Sequence, residues 1–253
     1  MSDQKNFFDM SSKQSLVMGL SWGIAIISVV ALVMFLVNGQ SNSSDGEIAG
    51  ANTNMNANAN VNTNTNTAPT PPAATGDVSK LAAVLDGAYS VGSDNAEVTL
   101  IEVSEFQCPY CLRHNPTMEK IMNEYKGKVK RVWIHFPLTS IHPYAMKAAE
   151  AVECAGEQNS DKFWEMHDKI FEDTSAMTVD DLKGYASEIG LNTSKFNSCL
   201  DDNKYTSKIQ KQMAAAQAAG VSGTPGTFVN GQLVKGAYPF DTFKQLIDAE
   251  LAK

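Results

Sequence analysis

Cys108 and Cys111 lie in the segment Phe106-Gln-Cys-Pro-Tyr-Cys111, a spacing at which two thiols can close into a disulfide and open again. Such an exchange runs through a thiolate. A thiolate is favoured where backbone N–H groups and the helix dipole converge, at a helix start. Cys108 is therefore the candidate nucleophile, expected at the exposed first turn, and Cys111 the inward-facing thiol that resolves a mixed disulfide. The competing use of the pair is half of a zinc site completed by Cys154, Cys199 or His114. Those spacings match no compact four-ligand pattern. Covalent haem attachment would need a histidine directly after the second cysteine, where Leu112 stands.

The elements on either side are those that would place the pair at such a junction. Val98–Ser104 is an apolar, β-branched run of strand length. Leu112, Met118, Ile121, Met122 and Tyr125 then recur at helical spacing, and Gly127 closes the segment. Pro116 falls inside that segment and predicts a kink or an interruption. Val129–Phe136 reads as a second strand, so the unit is β-α-β with the cysteines at the first strand–helix junction. Further on, Asn230-Gly231 is a two-residue hairpin signal between Thr227–Val229 and Gln232–Lys235. Phe240, Phe243, Leu246, Ile247 and Leu251 mark a closing amphipathic helix.

Four stretches resemble the DsbA-like thiol–disulfide oxidoreductases. They are Glu105–Cys111, His135–Leu138, Glu153–Gln158 with Lys162–His167, and Ser222–Gly231. They fall in the expected order across about Leu81 to Lys253. The Cys-Pro-Tyr-Cys tetrad by itself also occurs in glutaredoxins, which lack the insert and anchor expected here. The resemblance implies an α/β thioredoxin-like fold with an inserted α-helical subdomain at about 139–219, inside a catalytic domain at 77–253. It implies that Thr224 and Pro225 hold an extended substrate segment beside Cys108, with Pro225 following a cis bond. Pro109 and Tyr110 tune thiolate stability. The most oxidising relatives carry histidine where Tyr110 stands, so a weaker oxidant is expected.

The resemblance also places a buried acid six residues before the nucleophile, at Glu102, where a raised pKa would let it relay the inner thiol's proton. Glu105 is the alternative, and an ordinary surface glutamate is the plain reading of Glu102. Cys154 and Cys199 both fall in the helical insertion. In an oxidising compartment two remaining cysteines of one subdomain most often pair, so a structural disulfide is expected. No metal and no cofactor are expected.

The N-terminal third has another character. Residues 16–37 form an uncharged apolar run, long enough to cross a bilayer core of roughly 30 Å as a helix. Lys5 and Lys13 precede it and no Lys or Arg follows until Lys80. The positive-inside tendency then puts residues 1–15 in the cytoplasm and the catalytic domain outside, on an uncleaved single-pass anchor in the cell membrane. Residues 38–76, rich in Asn, Thr and Pro, read as a disordered linker with a reach of roughly 35 Å. The chain has 28 acidic and 20 basic residues and no basic block, which excludes nucleic acid as an expected partner. The partners expected are thiol-containing exported proteins and a quinone-linked membrane oxidase that restores the disulfide. The expected enzyme introduces disulfides into those proteins. A reductase or isomerase of the same fold is the alternative, and a peptide-gripping chaperone module ranks below both.

Overall fold

The computed structural model describes residues 74–253. A 3-10 turn, Val78–Leu81, runs into the short helix α1, Ala82–Leu85. The strands are β1 Ser90–Gly92, β2 Val98–Ser104, β3 Val129–His135, β4 Gly226–Val229 and β5 Gln232–Lys235. They form one sheet in the order β1-β3-β2-β4-β5. β2 and β3 are parallel, with Glu102 opposite Trp133, and the other pairings are antiparallel. A parallel neighbour needs a crossover, supplied here by helix α2, Pro109–Glu124.

Both faces of the central strands are covered, which is why they read as nearly continuous apolar runs. Val98 and Leu100 face α2 and the closing helix α8, Phe240–Leu251, through Met118, Ile121, Phe243 and Ile247. Ile101, Val103, Val132 and Ile134 face Leu81, Ala216 and Val221. Helix α2 runs through Pro116 without the interruption that the sequence predicts. Pro116 is exposed, so the Leu112 carbonyl that loses its partner lies on the solvent side and water can satisfy it.

Between β3 and β4 the chain folds into α3 Ala145–Gly156, α4 Ser160–Glu172, α5 Val179–Glu188, α6 Thr193–Asp201 and α7 Thr206–Ala218. This is the helical insertion. Its starts are sequence-encoded: Asn159 and Asn192 cap α4 and α6, and Thr178 with Asp181 forms a capping box on α5. Cys154 on α3 is bonded to Cys199 on α6 across a sequence separation of 45. Trp133, Phe106, Phe163 and Phe171 pack the insertion against the sheet.

Two boundaries differ from the sequence reading. β1 is only three residues long, too short for a periodicity signal, and was not expected. The end of the segment assigned to the linker is tied to the sheet edge: Ala74 bridges Leu233, and just beyond it the Asp77 N–H donates to the Ala219 carbonyl at 3.0 Å. Gly76 sits so close to β5 that a Cβ there would lie 2.8 Å from the Leu233 Cβ. Among the described residues no helix is long and apolar enough to cross a membrane. The expected anchor at 16–37, residues 1–15 and nearly all of the linker lie outside the described residues.

Candidate active site

Cys108 is the N-cap of α2 and Pro109 its first helical residue, a position where proline's missing N–H costs nothing. The Cys111 and Leu112 N–H groups donate to the Cys108 carbonyl. The Cys108 thiol is held down to about 5, first by the hydrogen bond from the Cys111 thiol. Burial opposes this, while Thr224 and the Tyr110 and Cys111 amides reinforce it. Burial pushes Cys111 well above an ordinary thiol, and the neighbouring Cys108 sulfur adds to the effect. One thiol is thus ionised at neutral pH and the other is protonated. None of these causes involves the Tyr110 side chain, which is exposed and stacks with Arg113 at 4.9 Å.

The expectation that Cys108 is exposed needs correction: the residue is only 4% exposed. The loop carrying Thr224 and Pro225 covers it, with Cys108 Sγ donating to the Thr224 carbonyl at 3.5 Å. The Thr224–Pro225 peptide is cis. Gly226, directly after it, already belongs to β4 and pairs with both Val103 and Lys235. A Cβ there would crowd Val221 Cγ1 at 3.1 Å, so the glycine answers to packing.

Glu102 lacks the raised pKa expected of it. It is fully buried on β2, and burial raises its pKa, but the Arg131 guanidinium outweighs that and holds the carboxyl below its ordinary value. Arg131 also reaches Asn115 Oδ1 at 3.0 Å, and His114 and His167 act on Glu102 electrostatically. His114 turns toward Thr227 Oγ1 at 3.1 Å rather than toward the sulfurs, and burial lowers its pKa to about 4.

The carboxyl with a raised pKa is Glu105, on the loop between β2 and Cys108. Burial raises it, and the Cys108 charge adds to this; the Gln107 N–H and His142 oppose. Its Oε2 accepts from the Gln107 N–H at 2.6 Å, and its Oε1 pairs with His142 Nδ1. His142 lies on the loop entering α3, and two residues on, the Tyr144 N–H donates to the Gln107 side-chain carbonyl at 2.8 Å. Nothing in the local sequence marks His142 as part of the site. Its place in His135–Tyr144, next to a segment already matched to the family, was the only available signal.

Two buried thiols with opposed acidities, facing a cis-proline loop at the end of a central parallel strand, define a thioredoxin-like dithiol site. The Thioredoxin family profile matches residues 85–249, and the chain belongs to this family. The segment is 36% identical over 161 residues to the Na(+)/H(+) antiporter NhaA 1 of Salinispora arenicola, covering 64% of this chain and 24% of that protein. The chain thus spans about a quarter of the length of that relative. Among solved structures, BdbD from Bacillus subtilis aligns over 73% of this chain and all of its own length, with TM-score 0.62 and 23% identity. The thiol-disulfide exchange protein alpha-DsbA2 from Wolbachia pipientis aligns over 68% of this chain and 92% of its own, with TM-score 0.61 and 19% identity. The fold is therefore α/β and thioredoxin-like, with DsbA-type oxidoreductases as structural neighbours.

Proposed function

We propose that this protein is a thiol–disulfide oxidoreductase that donates the Cys108–Cys111 disulfide to exported proteins from a membrane tether. The observation that carries the reading is the opposed acidity of the two sulfurs. A thiolate that is stable at Cys108 favours the reduced dithiol, and a protein whose reduced form is favoured gives its disulfide away. A substrate thiolate attacks Cys108 Sγ, the Cys108–Cys111 bond breaks, and Cys111 leaves and takes a proton. A second substrate thiolate then attacks the substrate sulfur of the mixed disulfide, and Cys108 leaves as thiolate. Two electrons pass to the enzyme, and a quinone-linked membrane oxidase would remove them.

Unfolded polypeptide fits the surroundings of the pair. Among the described residues the exposed large apolar side chains include Tyr110, Leu112, Ile141 and Tyr144. The first two flank Cys111 in sequence; the other two flank His142, which is bonded to the Glu105 carboxylate. Tethering draws support from the uncharged run at 16–37 and from a relative named as an antiporter, a kind of protein that works in a membrane.

The test is the reduction potential of the Cys108–Cys111 pair, equilibrated with glutathione. A value well above thioredoxin's roughly −270 mV supports disulfide donation. A value at or below it overturns that direction and points to a reductase fed with electrons from the membrane.

A further inference from the structure

Disulfide donation leaves a proton to be placed. Two substrate thiols together release two protons as they become a disulfide. One ends on Cys111, whose thiol is the protonated member of the reduced pair. The other has no seat on Cys108, which stays a thiolate.

The carboxyl beside that thiolate is Glu105, 1% exposed and three residues upstream. One of its oxygens is bonded to the N–H of Gln107, the residue preceding Cys108, and the other to His142. The His142 side chain is 17% exposed, so the pair reaches from the buried sulfur to the rim of the site. A second link, Tyr144 N–H to Gln107, holds the same two loops together. The other charged or titratable groups on the adjoining elements are engaged elsewhere. Glu102 is with Arg131 on β2 and β3, Tyr110 stacks with Arg113 on α2, and Lys147 at the start of α3 is bonded to Glu150 and the Leu200 carbonyl. The charges acting on Glu105 are those of His142 and Cys108.

We propose that Glu105 and His142 form the proton site of the dithiol, taking up the second substrate proton when Cys108 becomes a thiolate and releasing it on reoxidation. This rests on the exchange reading above. Glu105 takes the role that sequence had placed at Glu102, and His142 positions it and connects it to solvent. The Cys108 charge is the switch, because an adjacent thiolate raises a carboxyl's proton affinity and a disulfide does not.

The test is the equilibrium constant of the pair's own two-electron half-reaction, for the wild type, Glu105→Gln and His142→Gln. It is measured in the full chain by equilibration with glutathione over a pH series, after subtracting the two-proton dependence of the glutathione couple. Each proton taken up on reduction makes the equilibrium constant fall tenfold per pH unit. Above the Cys108 titration at about 5, uptake by Cys111 alone gives a tenfold fall. With the second site the wild type falls more steeply, approaching a hundredfold per unit within a window, and Glu105→Gln returns to tenfold. His142→Gln moves the steep window to higher pH, because the bond that lowers the Glu105 pKa is gone. A tenfold wild-type slope throughout, or a Glu105→Gln slope equal to the wild type's, overturns the proposal. Should Glu105→Gln not fold, the His142→Gln curve decides, and an unmoved window overturns it. Failure of the pair to cycle with glutathione at all is a different outcome and removes the exchange reading itself.

Discussion

Arg131 Nε and Nη2 both stand 2.7 Å from Oε2 of Glu102, an ion pair between neighbouring strands that is almost fully shielded from water. Its two partners are 29 residues apart in sequence, and together they close the polar gap between β2, β3 and α2.

Removing the guanidinium should therefore be severe and pH-dependent. Arg131→Met leaves a buried carboxylate unpaired, at a cost of about 3–5 kcal/mol near neutral pH. In the wild type the lowered Glu102 pKa contributes stability above the ordinary carboxyl range, which is lost as pH falls through the folded value. In the variant burial, the largest influence on this carboxyl, is opposed only by His114 and His167, so the pKa is raised and protonation relieves the defect. Denaturant unfolding at neutral pH and at the acid end of carboxyl titration should show the deficit shrinking with acid. An equal deficit at both would contradict the assignment.

The acidity of Cys108 depends first on the Cys111 thiol. Cys111→Ala should accordingly shift the midpoint of Cys108 alkylation up from about 5 toward the ordinary thiol range. An unmoved midpoint would transfer the effect to the helix start and the Tyr110 amide.

The rim around the pair gives a prediction about substrates. Ile141→Lys with Tyr144→Lys should lower the rate with unfolded, reduced protein relative to the rate with glutathione. Loss of about 1.4 kcal/mol of contact corresponds to a tenfold fall in that ratio. An unchanged ratio would place protein binding elsewhere.

Cys154 and Cys199 close a loop with a separation of 45 residues, for which the chain-entropy relation gives about 4 kcal/mol. Replacing both with Ala should lower Tm while leaving the Cys108–Cys111 potential in place. A shifted potential would instead couple the insertion's disulfide to the site.

The parts of this molecule that could be read from sequence are those written locally. β2, α2, β3 and the Asn230–Gly231 hairpin each carry their own periodicity or turn chemistry. Asn230 and Gly231 do adopt positive φ, 44° and 94°, as that dipeptide requires. The choice between Glu102 and Glu105 was not local. Which carboxyl stays ionised is decided by Arg131 and which faces the thiolate by the end of β2 at Ser104, and neither shows in the spacing to Cys108. His142 was hidden for the same reason, since 37 residues separate it from its partner.

The bridge between Ala74 and Leu233 has a mechanical consequence. β5 is an edge strand, and β4 separates it from β2. Any load arriving along the chain from upstream meets the Ala74–Leu233 pairing first and the Asp77–Ala219 hydrogen bond next. Strain is thereby delivered to the margin of the sheet, and the sulfurs beyond the end of β2 are insulated from a pull on the preceding chain.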